Sequence, residues 1–269
     1  MQFFIFFNEQ LNSSAQIFLT SLFALIFGSF ATLISYRLIH NEPMGFTRSK
    51  CTKCGYILKP QNLIPLFSWL FQKGKCSSCK ANISARYPII ELTFLITFLT
   101  VLFTLDLHMN WIMILYLLIA STLIVMCVTD LEEYLIPNST QYFLIILATI
   151  LIILENGTSA VPSAIFDGFI YLGFGIALLL FFYLTTGMEA IGIDDLKFFF
   201  ITGFMLGTDN FLSFMMLSGL LGIIFGSIWQ KIMKDDSFPF APAICCSTFL
   251  CLLFDKALDP VTLMGKLIF

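Results

Sequence analysis

The sequence predicts an all-α integral membrane protein, with about eight transmembrane helices and a cytosolic zinc-knuckle loop between the first two. Three observations predict it. Of the 269 residues, 58% are hydrophobic and only 12% charged, and the mean hydropathy is +0.92, more apolar side chain than a soluble domain of this size can hide. Long apolar runs recur along the whole chain without the period-two alternation of a barrel strand, so each must satisfy its backbone internally as a helix. The basic residues, finally, are concentrated in one polar segment near the N-terminus.

The opening MQFFIFFNEQLNSS has no basic stretch, so no cleavable signal peptide is expected and the first run is retained as an anchor. Apolar runs follow at about 16–39, 89–105, 111–129, 138–154, 162–186, 195–207, 211–231 and 240–254. The runs at 195–207 and 240–254 fall short of the roughly 20 residues needed to cross a ~30 Å hydrocarbon core, which leaves tilted, half-buried and re-entrant forms open. Gly222 and Gly226 form a GxxxG pair that allows either close helix approach or nothing more than tolerated small residues. The chain thus divides into a first transmembrane helix (1–39), a tetracysteine loop (40–88) and a multi-helix membrane core (89–269).

Nine of the fourteen basic residues, from Arg37 and Arg48 through Lys80 and Arg86, lie at or in the segment between the first two spans, which is therefore expected to face the cytosol. Alternation then puts the turns near 130–137, 187–194 and 232–239 on the same side, the last flanked by Lys231 and Lys234. Turns near 106–110, 155–161 and 207–210 face outward and hold no Lys or Arg. Lys256 and Lys266 fall on the outer side in this scheme, against the rule.

The basic segment carries Cys51, Cys54, Cys76 and Cys79, two CxxC pairs with 21 residues between them. Each CxxC sets two sulfurs on one tight turn, and two such turns supply the tetrahedron of a structural zinc site. The alternatives are reduced structural thiols or disulfides, and a cytosolic location argues against the second. Four protein thiolates leave no open coordination position, so the metal would shape the loop and not catalyse. Cys127, Cys245, Cys246 and Cys251 lie in apolar runs and read as small buried hydrophobes.

Acidic residues are few, and two groups stand where a span meets the cytosolic face: Asp130 with Glu132 and Glu133, and Asp194 with Asp195, followed by Lys197. An ionisable group beside hydrocarbon is expensive and so a functional candidate, although Asp130 can equally end a helix and Asp194 or Asp195 begin one. If the third and sixth spans pack together, Asp130 and one of the later pair meet. Two close carboxylates share a proton; the charged one activates water and the protonated one polarises a peptide carbonyl.

These residues resemble the type IV prepilin peptidases, the leader peptidases of pilus, type II secretion and competence systems, over nearly the whole chain and in the family's order. Gly28-Ser29-Phe30 with Tyr36-Arg37 resembles the first-helix signature. Cys51 and Cys54, Ile64-Pro65, Ser68-Trp69-Leu70, Gly74-Lys75-Cys76, Cys79, Ile83-Ser84, Arg86-Tyr87-Pro88 and Glu91 follow. Asp130 then precedes Leu135-Ile136-Pro137-Asn138, Gly192-Ile193-Asp194-Asp195-Leu196-Lys197 is similar to the GxGDxK motif, and Phe238-Pro239-Phe240-Ala241-Pro242 to a closing proline-rich motif. Two positions depart: Asp194 stands for the second glycine of GxGD, and Thr32 for an asparagine. Alignment on Leu196-Lys197 gives the catalytic role to Asp195, with Asp194 the weaker option.

The resemblance implies a membrane aspartyl endopeptidase of the bacterial inner membrane. It would cut the basic leader from prepilin or pseudopilin precursors at the cytosolic face, with catalytic Asp130 and Asp195. Glu132, Glu133 and Asp194 would attract the leader. It also implies N-methylation of the new N-terminus from S-adenosylmethionine, although no residue reads as an adenosine pocket. Membrane lipid is an expected partner, nucleic acid is not, and the oligomeric state stays open. The rival is a transporter or channel with a regulatory zinc loop, but few carboxylates lie at mid-span, where an ion relay needs them.

Overall fold

The computed structural model describes residues 13–40, 49–105, 110–187, 191–233 and 238–254. The opening segment, Arg48, Lys234, Lys256, Lys266 and parts of the turns near 106–110, 187–194 and 232–239 lie outside the described residues. Nine α-helices follow in order: α1 (Ser13–Ile39), α2 (Phe67–Phe71), α3 (Arg86–Thr104), α4 (Trp111–Glu133), α5 (Asn138–Asn156), α6 (Val161–Thr186), α7 (Ile193–Leu206), α8 (Phe211–Met233) and α9 (Ala241–Leu253), counted among the described residues.

All but the five-residue α2 coincide with the eight apolar runs. Six of them, α1, α3, α4, α5, α6 and α8, are long and apolar enough to cross a membrane, and side chains such as Phe166, Leu184 and Ile223 stand exposed on them as lipid-facing residues do. This is a multi-pass membrane protein. The two short runs become α7 and α9, of 14 and 13 residues. At 1.5 Å per residue each spans about 20 Å, less than the hydrocarbon core. Burial explains their length: Phe198, Phe199, Ile201 and Phe204 on α7, and Ala241, Ile244, Ser247 and Cys251 on α9, are buried. A helix jacketed by protein need not match the bilayer.

The chain forms two compact units that part within α4, Met1–Ser121 and Thr122–Phe269. In the first, α1 lies against α3. A Cβ on Gly28 would come within 2.9 Å of the Glu91 Cα, so only a glycine lets the two backbones approach this closely. Glu91 is buried, and its carboxylate accepts the Leu66 N–H at 2.6 Å and a bond from the Ser29 side chain. Arg86 donates to Ser35 Oγ at 2.8 Å. The first-helix signature, the loop and the start of α3 are thereby tied together.

In the second unit α7 is the hub, packed on α5, α6 and α9. Its contact with α6 depends on absent side chains: a Cβ on Gly203 would stand 2.5 Å from Cγ of Tyr171, which is fully buried and donates its hydroxyl to the Gly207 carbonyl at 2.9 Å. Gly203→Ala is therefore expected to lower stability by about 1–3 kcal/mol, the usual cost of overpacking, read as an earlier unfolding midpoint in detergent. A midpoint at the wild-type value would show that the ring has room to move. Thr202 and Thr248 pair their hydroxyls at 3.2 Å across α7 and α9.

The GxxxG pair does something more local than bring two helices together. A Cβ on Gly222 would meet the Phe240 ring at 2.8 Å and one on Gly226 the Phe238 ring at 3.3 Å. These glycines seat the aromatic segment that feeds α9. Of the four cysteines read as buried, Cys245 and Cys251 are buried and Cys127 is partly so, but Cys246 is exposed, because it lies one residue round the helix from its buried neighbour Cys245.

Candidate active site and metal centre

Asp130 sits in the last turn of α4, nearly buried. Its Oδ2 accepts the N–H of Ala241 at 2.9 Å. Ala241 is the first residue of α9, where backbone donors have no intrahelical partner and the helix dipole is positive, and Pro242 just inside the helix contributes no N–H of its own. The closing proline-rich segment thus has a structural role, delivering one free backbone donor to Asp130.

Asp195 stands in the first turn of α7, where its Oδ2 accepts the Gly192 N–H at 3.3 Å. Here too the carboxylate lies at the positive end of a short inner helix. The Asp130 carboxylate is near enough for like-charge repulsion between the two. Residues far apart in sequence therefore come near each other within one compact unit.

Asp194 is engaged elsewhere. It pairs with Lys197 at 2.8 Å, and Lys197 also donates to Asn138 Oδ1 at 2.9 Å. Gln141, buried on α5, donates its amide to the Asp194 carbonyl at 3.3 Å. Where the related motif has glycine, this chain thus carries an acid that pairs with Lys197, the lysine that reaches Asn138 at the start of α5. Sequence reasoning passed over Gln141; its signal was an amide inside an apolar run, one turn after Asn138. Glu132 and Glu133 are exposed, just before Tyr134, which adopts φ +54 and accepts the Trp229 indole N–H at 3.2 Å.

In the other unit the sulfurs of Cys51, Cys54, Cys76 and Cys79 all lie within 4.8 Å of one another, a cluster that could hold a metal ion. Cys51 and Cys79 are 4.0 Å apart; a tetrahedron with 2.3 Å metal–sulfur bonds sets its sulfurs ~3.8 Å apart, so the donor set fits. The two halves repeat one design. Cys51 N–H bonds to the Tyr56 carbonyl and Gly55 N–H to the Cys51 carbonyl; Cys76 and Ala81, and Lys80 and Cys76, do the same. The backbone N–H groups of Cys54 and Lys53 hold the Cys51 thiol down at about 6, and those of Cys79 and Ser78 lower the Cys76 thiol, so the first cysteine of each pair is poised as a thiolate, while desolvation and the neighbouring Cys79 and Cys51 sulfurs push Cys54 up to about 11.

The fifth residue of each half lies in the left-handed region, Gly55 at φ +71 and Lys80 at φ +60. Glycine takes this conformation freely and lysine does not. Lys80→Gly is expected to stabilise the loop by ~1 kcal/mol, seen as a higher chelator concentration needed to unfold it. An unchanged or lower midpoint would refute the strain.

Comparison with known proteins places this geometry in context. A model described as the bacterial peptidase A24 N-terminal domain matches residues 22–105, and that of the type IV leader peptidase family matches 117–227. A prepilin leader peptidase/N-methyltransferase of Bacillus subtilis (strain 168) is 32% identical over 245 residues, covering 88% of this chain and 94% of that protein. A protein of the same description from Dichelobacter nodosus is 28% identical, covering 92% and 94%, and one from Pseudomonas aeruginosa is 30% identical, covering 87% and 89%. No solved structure matches.

Proposed function

The chain belongs to the type IV leader peptidase family, and on that premise we propose that it is a membrane aspartyl endopeptidase that removes the basic leader from prepilin-like precursors at the cytosolic face of the bacterial inner membrane. Asp130 and Asp195 form the dyad. The observation that carries this reading is that each carboxylate accepts a backbone N–H at the N-terminus of a short inner helix of the same compact unit, near enough to the other for their charges to repel. One carboxylate of the pair is charged and takes a proton from water as the oxygen attacks the scissile carbonyl; the other is protonated and donates to the carbonyl oxygen. The Ala241 and Gly192 N–H groups orient the two acids.

The substrate helix enters sideways between membrane helices, and exposed Glu132 and Glu133 draw its basic leader. Asp194 contributes less to that attraction, since its carboxylate is engaged by Lys197. The relatives' second activity extends to this chain as N-methylation of the new N-terminus, with S-adenosylmethionine as methyl donor; no residue is assigned to it. Zinc is the metal that suits four thiolates in a closed tetrahedron, with Cys51, Cys54, Cys76 and Cys79 as its ligands and a structural role in the loop. The transporter reading finds no support in the relatives. Purified protein incubated in detergent with a prepilin-like precursor tests the proposal: shortening of the precursor at its leader is expected, and an intact precursor would overturn it.

A further inference from the structure

The loop between α1 and α3 has a surface that neither the metal cluster nor the carboxylate dyad explains. Residues 49–85 contain six lysines and no Asp or Glu, and all six lysines are exposed. The same stretch exposes large apolar side chains. In α2, Phe67, Leu70 and Phe71 are 52%, 61% and 84% exposed, and their i, i+3, i+4 spacing puts them on one face. Ser68, Trp69 and Gln72 on the other face are partly buried, Trp69 donating its indole N–H to the Ile83 carbonyl at 3.2 Å and stacking over Gly74. Leu63 and Ile64, just before the turn, are exposed as well.

The depth of this face is fixed by a hydrogen bond. Leu66, which adjoins α2, donates its N–H to Glu91, and Glu91 lies five residues into α3, roughly 8 Å along its axis. The apolar face of α2 is therefore held beside the first turns of a helix that enters the bilayer. Both ends of the loop leave the membrane on one side, because α1 and α3 are consecutive spans. Apolar and aromatic side chains at headgroup depth, in a stretch (residues 49–85) that carries six lysines and no acid of its own, with the nearby Glu91 buried, are the composition of a surface that binds anionic lipid.

We propose that this loop lies on the anionic phospholipids of the leaflet that α1 and α3 enter, with Phe67, Leu70 and Phe71 inserted at the headgroup boundary and Lys59, Lys73 and Lys75 on the phosphates. The metal knuckle is thereby held at the membrane surface. A soluble partner would have to supply both an apolar patch and negative charge at the same depth, which the lipid already does.

The test uses the full chain in lipid nanodiscs of phosphatidylcholine, with or without phosphatidylglycerol, containing lipids brominated near the headgroup. Phe71→Trp is made in a background with Trp111→Phe and Trp229→Phe, and the signal of Trp69 is subtracted using the same background without the new indole. Bromine is expected to quench the introduced indole at least about twofold more in the anionic bilayer. Lys59, Lys73 and Lys75 changed together to Gln should abolish that difference. No quenching in either bilayer, equal quenching in both, or quenching that requires an added precursor or a second copy would each overturn the proposal. Should Phe71→Trp not fold, hydrogen exchange over residues 63–75 of the unaltered chain decides: slower exchange in the anionic bilayer supports it, and equal exchange overturns it.

Discussion

Asp130→Asn and Asp195→Asn are each expected to reduce leader cleavage by roughly 10³-fold or more, since each removes one partner of an acid–base pair that typically contributes 10²–10⁴ by itself, while the protein still inserts. Asparagine keeps the shape and the acceptor oxygen, so the bond from Ala241 to position 130 survives, and the loss reports proton transfer and not folding. Removing both acids together should cost little more than removing one, because the pair acts as a unit. Asp194→Asn is the contrasting variant. It breaks a partly exposed ion pair with Lys197, an interaction of at most ~1 kcal/mol, so cleavage should fall less than about fivefold. If Asp194→Asn were as damaging as Asp195→Asn, or if either dyad variant still cut its precursor at a near-normal rate, the assignment of the pair would fail. Rates of precursor cleavage by equal amounts of purified variants decide the matter.

The membrane helices were legible because lipid imposes a single rule on backbone and side chains alike: apolar length means helix. All eight runs became helices, with ends shifted by only a few residues. What the sequence left open was the form of the two short runs, because hydropathy measures avoidance of water and does not distinguish lipid from protein as the neighbour. Burial of α7 and α9 resolves them as inner helices. The cysteine spacing was legible for a local reason, since two sulfurs on one turn need only four residues. The choice between Asp194 and Asp195 was not readable from composition. It depends on which side chain of the first turn of α7 approaches Asp130, and that turn is tied to α5 by bonds from Gln141 to the Asp194 carbonyl and from Lys197 to Asn138, more than fifty residues away in the chain. The GxxxG pair was open for a different reason: small residues announce close approach but not the identity of what approaches, here the rings of Phe238 and Phe240.

Stripping the metal should separate the two activities proposed for this protein. A structural zinc bound by four thiolates contributes on the order of 10–16 kcal/mol in small domains, far above what the loop can supply from its own core. Among residues 49–85 the described side chains that are fully buried are few, Cys76 being the clearest, and two isolated bridges, Lys50 with Ile57 and Lys75 with Asn82, are the extent of its sheet. Chelation, or Cys51→Ser with Cys76→Ser, is therefore expected to release the loop: amide protection over residues 49–85 collapses, while the helices keep theirs. Methyl transfer to the processed N-terminus should fall at least about tenfold, because the family resemblance ties that activity to the N-terminal region carrying the loop, the part of the chain that the peptidase A24 N-terminal domain model matches. Leader cleavage should remain within a fewfold of normal, since Asp130, Asp195, Ala241, Gln141 and Asn138 all belong to residues 122–269. The paired readout guards against a trivial result. Loss of both activities together would mean that the loop supports the dyad and that the division of labour is wrong; retention of both in a chain shown to be free of metal would mean that the four thiols hold the loop without it.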